Sequence, residues 1–273
     1  MGFMNPEQVW RQTVEAGEKK VYLPILNQLV LGFLGGAYIS IGFLLYIRVS
    51  AVVPAPWSDF GSILGAACFP LGLILTLIAG GELLTGNMMA VPAAYFSGRI
   101  GLRQLMGNWL VITLGNFVGA LFIAYAFGHL VGLTEHGIYL DKLMKVVHAK
   151  IAEPFYVAIL SGIGCNWLVG LAVWLAYGAE EGIAKLVGIW LPTMAFVAIG
   201  FQHVVANMFV IPAAIFAGQA TWMDYLSNFI PVYIGNALGG TVFVAGMYAM
   251  VYRKSQSSMQ AKSLESKSAP YGK

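Results

Sequence analysis

Long apolar stretches alternate with short polar segments along most of this chain. A run of about 20 apolar residues is long enough to cross a bilayer as a helix, and six such stretches are present. We place the predicted spans at about 25–47, 60–96, 105–132, 154–177, 185–217 and 227–252. The pattern therefore predicts an all-α membrane protein with six transmembrane helices.

The second and fifth stretches are too long for one simple helix. Each contains a polar interruption with glycine, GGELLTGN at 80–87 and GFQHVVAN at 200–207, and each has a proline on either side of it. One interpretation is a pair of kinked but continuous helices. We favour two broken helices, whose irregular backbone is tolerated at that depth only where it is buried in protein or lines a cavity.

The two interruptions belong to an internal repeat. Shifting the chain by 120 residues aligns 87–120 with 207–240 without gaps, and 11 of the 34 pairs are identical, where chance in so biased a composition gives roughly three. Each half holds three spans, so the second half has the inverted orientation in the membrane. Inverted 3+3 repeats with paired breaks place a substrate path near the bilayer midplane, where the breaks meet.

Charge and length organise the rest of the chain. Of the lysine and arginine residues, 11 lie on the side of the termini and 4 on the other side, so both termini are expected in the cytoplasm. We expect a single channel domain over 1–254, in which 1–24 form an interfacial helix and not a signal peptide. The repeats cover about 25–132 and 154–252, and the Ser- and Lys-rich tail at 255–273 is expected to be disordered.

Composition excludes several classes of function. The 273 residues are 59% hydrophobic and 10% charged, whereas a soluble domain carries about 25% charged residues. The net charge of +3 comes from loop residues, so no nucleic-acid partner is expected. Cys68 and Cys165 form no CxxC motif, so we expect neither a metal nor another cofactor. No nucleophile–base pair or phosphate-binding loop is present, so an enzyme is not predicted.

Two asparagines follow the breaks at matched positions. We predict that Asn87 and Asn207 cap the half-helices that begin there, and one interpretation gives them no role beyond capping and packing. A half-helix N-terminus presents free N–H groups and a positive dipole end. Two such ends at one point of a pore favour a small anion or a polar neutral solute.

His203 is the main candidate for chemistry. In a soluble protein a lone histidine in apolar surroundings is most often a core residue, but ionisable side chains inside a membrane are costly and mark functional paths. Burial favours the neutral imidazole, which can donate a hydrogen bond or a proton to an incoming anion. Thr85, at the equivalent depth of the first break, and Asn166, in the fourth span, add polar groups.

Two charged residues flank this region. For Glu82 we favour a structural role, in which its carboxylate accepts hydrogen bonds from backbone N–H groups of the first break, over a role in transport. Lys150 precedes the fourth span on the outer side. It is placed either to attract anions to a vestibule or to serve as an ordinary interfacial lysine.

The motifs GGELLTGNMM, GRIGLRQLMGNWLVITLGNFVGA, GCNWLVGLAVW and GFQHVVANMFVIPAA together resemble the formate–nitrite transporter family over about residues 5–254. The resemblance implies an aquaporin-like fold, assembled as a homopentamer in the plasma membrane with one pore in each protomer. It also implies passage of a small monovalent anion such as formate, nitrite or hydrosulfide, often with a proton.

The same resemblance assigns roles to individual residues. His203 matches the central pore histidine of the family, and Thr85 matches the loop threonine that can hydrogen-bond to it. Asn166 matches a polar pore residue nearby, and Lys150 matches a vestibule lysine. Two apolar constrictions are implied, an outer one of Phe69, Leu73 and Phe196 and an inner one of Leu83, Leu84 and Val169.

One position departs from the pattern of the formate channels. Their residue before the histidine is usually glutamate, and here it is Gln202. A neutral amide cannot form an ion pair, so this position argues against a mechanism that needs a second carboxylate beside His203, and it weakens the choice of formate among the small anions.

These observations lead to the expectation of a formate channel. An anion enters near Lys150, loses water at an apolar slit and receives a proton, partly or fully, at His203 with Thr85. The alternatives are an ionised substrate held by the dipole ends alone, an obligatory proton-coupled formate symporter, and a nitrite or hydrosulfide channel. A water or glycerol channel is a rival by fold, but both breaks have Asn-Met where such channels have Asn-Pro-Ala. A purely structural membrane protein leaves the polar residues at the midplane unexplained.

Overall fold

The computed structural model describes residues 2–253, and the predicted tail at 255–273 lies outside this range. Within it the secondary structure is helical, apart from one isolated bridge between Phe3 and Ala179. Six helical segments are long and apolar enough to cross a membrane, which confirms the predicted number. They are Ile25–Ala51, Ala55–Gly80, Leu102–Leu130, Phe155–Gly178, Gly182–Ile199 and Trp222–Arg253.

Eleven α-helices lie wholly within the described part of the chain, and a further helical segment runs from 247 to its end at 253. The eleven are α1 (Pro6–Tyr22), α2 (Ile25–Ala51), α3 (Ser58–Cys68), α4 (Leu71–Ile74), α5 (Leu84–Phe96), α6 (Leu102–Phe122), α7 (Gly137–Ile151), α8 (Phe155–Gly178), α9 (Gly182–Ile199), α10 (Val204–Phe216) and α11 (Trp222–Gly240). Wider π-helical segments follow α4, α6 and α11, at Leu75–Gly80, Ile123–Leu130 and Thr241–Gly246.

Both predicted breaks are present, and the alternative of continuous kinked helices is wrong. The second span is interrupted between Gly80 and α5, and the fifth is interrupted between α9 and α10. Gly80 and Gly200 have φ values of 102° and 91°, a left-handed conformation that glycine adopts without strain. Each break is shorter than predicted, because the half-helices already begin at Leu84 and Val204.

The repeat also includes two helices outside the spans. α1 precedes the first span of one half, and α7 precedes the first span of the other. α7 lies in a segment for which the sequence predicted no helix. α1 is packed against protein, since the side chain of Trp10 is fully buried and a Cβ on Gly17 would lie 1.9 Å from the carbonyl oxygen of Ala90 in α5.

Glycines allow the long helices of each half to approach closely. α6 packs against α2, where a Cβ on Gly119 would lie only 2.0 Å from the carbonyl oxygen of Phe33. α11 packs against α8, where a Cβ on Gly235 would lie 2.3 Å from the carbonyl oxygen of Ile159. Lipid gives helices little hydrophobic reason to associate, so close contact at small residues holds these pairs together.

This packing predicts different effects for the same substitution at two positions of α6. Gly119→Ala forces α2 and α6 apart and should destabilise the protein by roughly 1–3 kcal/mol, as expected for overpacking. Gly107→Ala is the matched control, because no atom lies within 4 Å of its added Cβ. Thermal unfolding of the purified protein in detergent measures both, and equal melting temperatures for the two variants would contradict the proposed packing.

Candidate functional site

The two breaks meet at a contact between Thr85 and His203. Thr85 Oγ1 and His203 Nε2 are 2.9 Å apart, although the residues are separated by 118 positions in the chain. Thr85 lies in the first turn of α5, and His203 immediately precedes α10. Both side chains are buried, so the N-termini of the two half-helices converge in the protein interior.

The hydrogen bonds of His203 determine where its proton lies. The backbone N–H of Ala206 donates to His203 Nδ1 at 3.1 Å, so Nδ1 must carry a lone pair. In the neutral imidazole the hydrogen is then on Nε2, which donates it to Thr85 Oγ1. His203 is therefore the N-cap of α10, held as the neutral Nε2–H tautomer.

The prediction that Asn87 and Asn207 cap the half-helices is wrong. Both lie in the fourth position of their helices, because α5 starts at Leu84 and α10 starts at Val204. The helices start earlier because a neighbouring helix supplies an acceptor. Leu84 N–H donates to the side chain of an asparagine in α6 at 2.8 Å, and Val204 N–H donates to one in α11 at 2.8 Å.

These acceptors are Asn116 and Asn236, which brace the two breaks in the same way. Asn116 Nδ2 also donates to the carbonyl oxygens of Glu82 (2.8 Å) and Gly32 (2.7 Å). Asn236 Nδ2 donates to those of Gln202 and Gly162, each at 2.9 Å. Neither asparagine was predicted as a site residue, although the pair is an identity in the internal repeat.

Asn87 and Asn207 instead tie the break side chains to α6 and α11. Asn87 Nδ2 donates to Glu82 Oε2 at 2.8 Å, and Asn207 Nδ2 donates to Gln202 Oε1 at 2.7 Å. Each Nδ2 also donates to a further asparagine, Asn108 in α6 or Asn228 in α11. Each half thus contains the same arrangement of hydrogen bonds, in which residue 82 of the first half corresponds to residue 202 of the second.

The prediction that Glu82 accepts hydrogen bonds from backbone N–H groups of its break is wrong. Among the described residues, its carboxylate accepts one hydrogen bond from Asn87 Nδ2 at 2.8 Å and two from Lys20 Nζ, at 2.8 and 2.9 Å. Burial opposes the charge of Lys20, but Tyr177 and Glu82 outweigh that effect, and the pKa of Lys20 is raised. Lys20, which was not predicted as a site residue, forms a long-range ion pair between α1 and the first break.

Lys150 occupies the matching place at the second break but has a neutral partner. Its Nζ donates to Gln202 Oε1 at 3.3 Å, and Gln202 Nε2 donates back to the carbonyl oxygen of Lys150 at 3.1 Å. Within residues 2–253, no carboxylate oxygen lies within 4.0 Å of this Nζ. Burial lowers the pKa of Lys150 to about 8.

A cavity of about 260 Å³ connects Lys150 with His203. We call this space, between α7 and the second break, the α7-side cavity. Lys142, Lys145 and Glu153 also contribute to its wall, so it carries three lysines and one carboxylate. Lys142 and Lys145 were not predicted as site residues.

The predicted outer constriction is an aromatic cluster next to the histidine. The rings of Phe69 and Phe196 meet edge to face with centroids 5.6 Å apart, and the Phe196 ring stacks on His203 at 5.5 Å. Phe43, missed in the sequence, meets Phe69 edge to face at 5.7 Å. Leu73 is buried in the same core.

Asn166 and the predicted inner constriction lie in the same buried region. Asn166 Nδ2 donates to the carbonyl oxygens of Thr85 (3.1 Å) and Asn236 (2.7 Å), and its Oδ1 has no partner among the described residues. The inner apolar set is buried in the core and consists of Leu83, Leu84 and Val169.

Residues 2–253 contain no group of three or more histidine, cysteine, aspartate or glutamate side chains that could hold a metal ion.

Comparisons with known proteins agree with this architecture. A solved structure described as an FNT family ion channel matches with a TM-score of 0.80 and 30% identity, covering 88% of this chain and 97% of its own. A second, described as a pentameric formate channel with formate bound, matches with a TM-score of 0.75 and 30% identity, covering 84% and 97%.

Sequence comparison identifies the family. The formate channel BtFdhC of Bacillus thuringiensis is 53% identical over 260 residues, which cover 95% of this chain and 100% of that protein. The sequence model described as formate/nitrite transporter matches residues 7–250. The chain therefore belongs to the formate/nitrite transporter family and is a multi-pass membrane protein.

Proposed function

We propose that this protein is a membrane channel for formate, in which the substrate crosses the buried centre together with a proton handled at His203. The observation that carries the proposal is the contact between Thr85 and His203, which lies beneath a lysine-lined cavity and between two half-helix N-termini. The formate channel from Bacillus thuringiensis, 53% identical over 95% of this chain, supports formate as the substrate.

The first step is attraction of the anion into the α7-side cavity. Lys150, Lys142 and Lys145 contribute positive charge to its wall, and Glu153 contributes one carboxylate. An uncompensated cation in a concave, weakly hydrated site concentrates small anions far more than the same cation does in open water. The cavity therefore supplies formate to the aromatic cluster.

The second step is removal of water from the substrate. Phe43, Phe69 and Phe196 offer no hydrogen bonds, so a bare formate anion is strongly disfavoured beyond them. A low-dielectric environment favours the neutral acid over its anion. Transfer of one proton to formate removes most of this penalty, and His203 borders both the cavity and the cluster.

The third step uses the two nitrogens of His203 separately. Nε2–H, which donates to Thr85, is the proton available to a substrate at that position. Giving it up would leave an imidazolate unless Nδ1 gains a proton from solvent in the α7-side cavity, which both His203 and Ala206 line. Nδ1 accepts the Ala206 N–H in the resting state. Proton delivery to formate is thus coupled to release of the α10 cap.

Asn166 completes the central site for a protonated substrate. Its Oδ1 is buried and has no hydrogen-bond donor among the described residues. An amide oxygen repels a carboxylate but accepts a hydrogen bond from the O–H of formic acid. The unpaired Asn166 Oδ1 therefore favours neutral formic acid over an ionised substrate held by helix dipoles alone. The inner apolar set of Leu83, Leu84 and Val169 is then the second barrier that the neutral acid crosses.

The assembly and placement follow from relatives and from charge. A solved structure that matches this chain is described as a pentameric formate channel, and we propose the same homopentamer here. The excess of lysine and arginine on the side of α1 supports a cytoplasmic location of both termini in the plasma membrane. The α7-side cavity then faces outward, and the protein has no enzymatic role.

Substrate selectivity is tested by flux into liposomes that contain the purified protein. Formate should pass fastest. Chloride should pass much more slowly because it stays ionised in water, and glycerol should pass much more slowly because it is larger than formic acid. Nitrite and hydrosulfide, whose conjugate acids are small, serve as the close competitors. Equal flux of all five solutes would contradict a selective formate channel, and faster nitrite or hydrosulfide flux would reassign the substrate.

The role of His203 is tested by His203→Phe and His203→Asn in the same liposomes. Asparagine can cap α10 but cannot transfer a proton, so it separates the structural role from the chemical one. We expect both variants to lose the proton that accompanies formate and to lower formate flux at least about tenfold, which corresponds to 1.4 kcal/mol in the barrier. Wild-type flux and proton coupling in His203→Asn would show that the histidine acts only as a cap.

The lowered pKa of Lys150 predicts a pH effect on the affinity of the α7-side cavity. Raising the pH from 7 to 9 takes the charged fraction of a group with a pKa of about 8 from roughly nine-tenths to roughly one-tenth. The half-saturating formate concentration on that side should rise over this interval. Lys150→Arg is the control, since arginine stays charged, and an identical rise in both proteins would exclude Lys150 as the titrating group.

A further inference from the structure

We infer that Gln202 determines the sidedness of anion binding, because it leaves Lys150 without a carboxylate partner whereas the matching Lys20 is paired with Glu82. The α7-side cavity thereby becomes an anion-binding site of higher affinity than the opposite mouth of the pore. The inference rests on the proposed function, since it concerns the same pathway and the same substrate.

The two lysines occupy equivalent places in one repeated network. Lys20 Nζ contacts the side chain of Glu82 at 2.8 Å, and Lys150 Nζ contacts that of Gln202 at 3.3 Å. In both halves an asparagine in the following half-helix donates to the same residue, at 2.8 and 2.7 Å. Replacement of a carboxylate by an amide is therefore the chemical difference at this point of the network.

The surroundings strengthen the difference in charge. The α7-side cavity is lined by three lysines and Glu153. The wall of the α7-side cavity therefore carries an excess of positive charge, whereas Lys20 at the first break is neutralised by its ion pair with Glu82.

Glu153 is the carboxylate in the wall of the α7-side cavity whose negative charge would offset the positive charge of Lys150. It lines the same cavity, and its Oε2 is buried without a hydrogen-bond partner. It makes no ion pair with Lys150 within 4.0 Å in the described chain. An anion in the cavity can thus approach the Lys150 ammonium without displacing a carboxylate from it.

Because transport is passive, a difference in formate affinity between the two sides must be accompanied by a difference in maximal rate. Formate at equal concentration on both sides gives no net flux in the absence of a voltage or a pH gradient. A lower half-saturating concentration on the α7 side must then be matched by a lower maximal rate from that side. The two sides should therefore differ in half-saturation and in maximal rate, but not in the ratio of these quantities.

The test exchanges the acid and the amide between the two halves. The variants are Gln202→Glu, Glu82→Gln and the double variant that contains both substitutions. Initial formate uptake is measured in intact bacterial cells, which expose the α7 side in the proposed orientation, and in everted membrane vesicles, which expose the α1 side. Each substitution places a side chain in a network that already holds it in the other half of the molecule.

We expect wild-type protein to saturate at a lower formate concentration in cells than in everted vesicles. Gln202→Glu should raise the half-saturating concentration in cells about tenfold, a change that one ion pair in a partly buried site can produce. Glu82→Gln should lower the value in vesicles by a similar factor, and the double variant should reverse the order of the two sides. Recovery of each variant as the assembled oligomer, in wild-type amounts, excludes misfolding.

Three results would overturn the inference while leaving the proposed function intact. They are equal half-saturation on both sides in the wild type, no effect of Gln202→Glu, and a stronger effect of Glu153→Gln than of Gln202→Glu. The last result would mean that Glu153 neutralises Lys150 in the membrane. Absence of formate uptake by the wild-type protein would instead overturn the proposed function itself.

Discussion

A membrane interior offers no water to backbone groups, so each N–H and C=O released where a helix is interrupted needs a partner inside the protein. Asn116 and Asn236 meet this requirement at the two breaks. Each uses its side-chain oxygen to accept the first N–H of a half-helix and its amide group to donate to two carbonyl oxygens. Without these side chains, irregular backbone could not be kept at the centre of the protein. The convergence of Thr85 and His203 depends on that bracing.

The residues that stabilise the two breaks are the same in both halves, whereas the ionisable residues at the breaks differ. The bracing asparagines, the left-handed glycines and the helix-packing glycines recur in both halves, because both breaks pose the same backbone problem. Leu83 and His203 occupy equivalent positions before their half-helices, and so do Glu82 and Gln202. Repetition thus maintains the structure of the breaks, whereas the few positions that differ are free to determine how charge and protons are handled.

Sequence predicted the larger architecture because hydrophobic length and internal identity report directly on spans and repeats. It failed where the outcome depends on which donor faces which acceptor. Asparagine is a common helix-capping residue, yet acceptors from α6 and α11 start the half-helices four residues before the positions predicted from Asn87 and Asn207. Glu82 pairs with Lys20 across 62 positions, and no local pattern encodes that contact. α7 was missed because an amphipathic helix with several lysines resembles a polar loop in hydropathy.

The position of His203 unites the structural and chemical roles of one side chain. A capping asparagine or serine would stabilise the start of α10 but could not carry a proton, and a histidine elsewhere in the pore could carry a proton without affecting the helix. Here Nδ1 receives the Ala206 N–H while Nε2 faces Thr85. Any second proton on the ring must compete with the cap, so the charged imidazolium is disfavoured by loss of a backbone hydrogen bond as well as by burial. In the mechanism proposed here, a substrate anion next to the ring would reverse part of that balance, because it would stabilise the imidazolium before taking a proton from it. The proposed mechanism therefore makes proton transfer conditional on the presence of the anion.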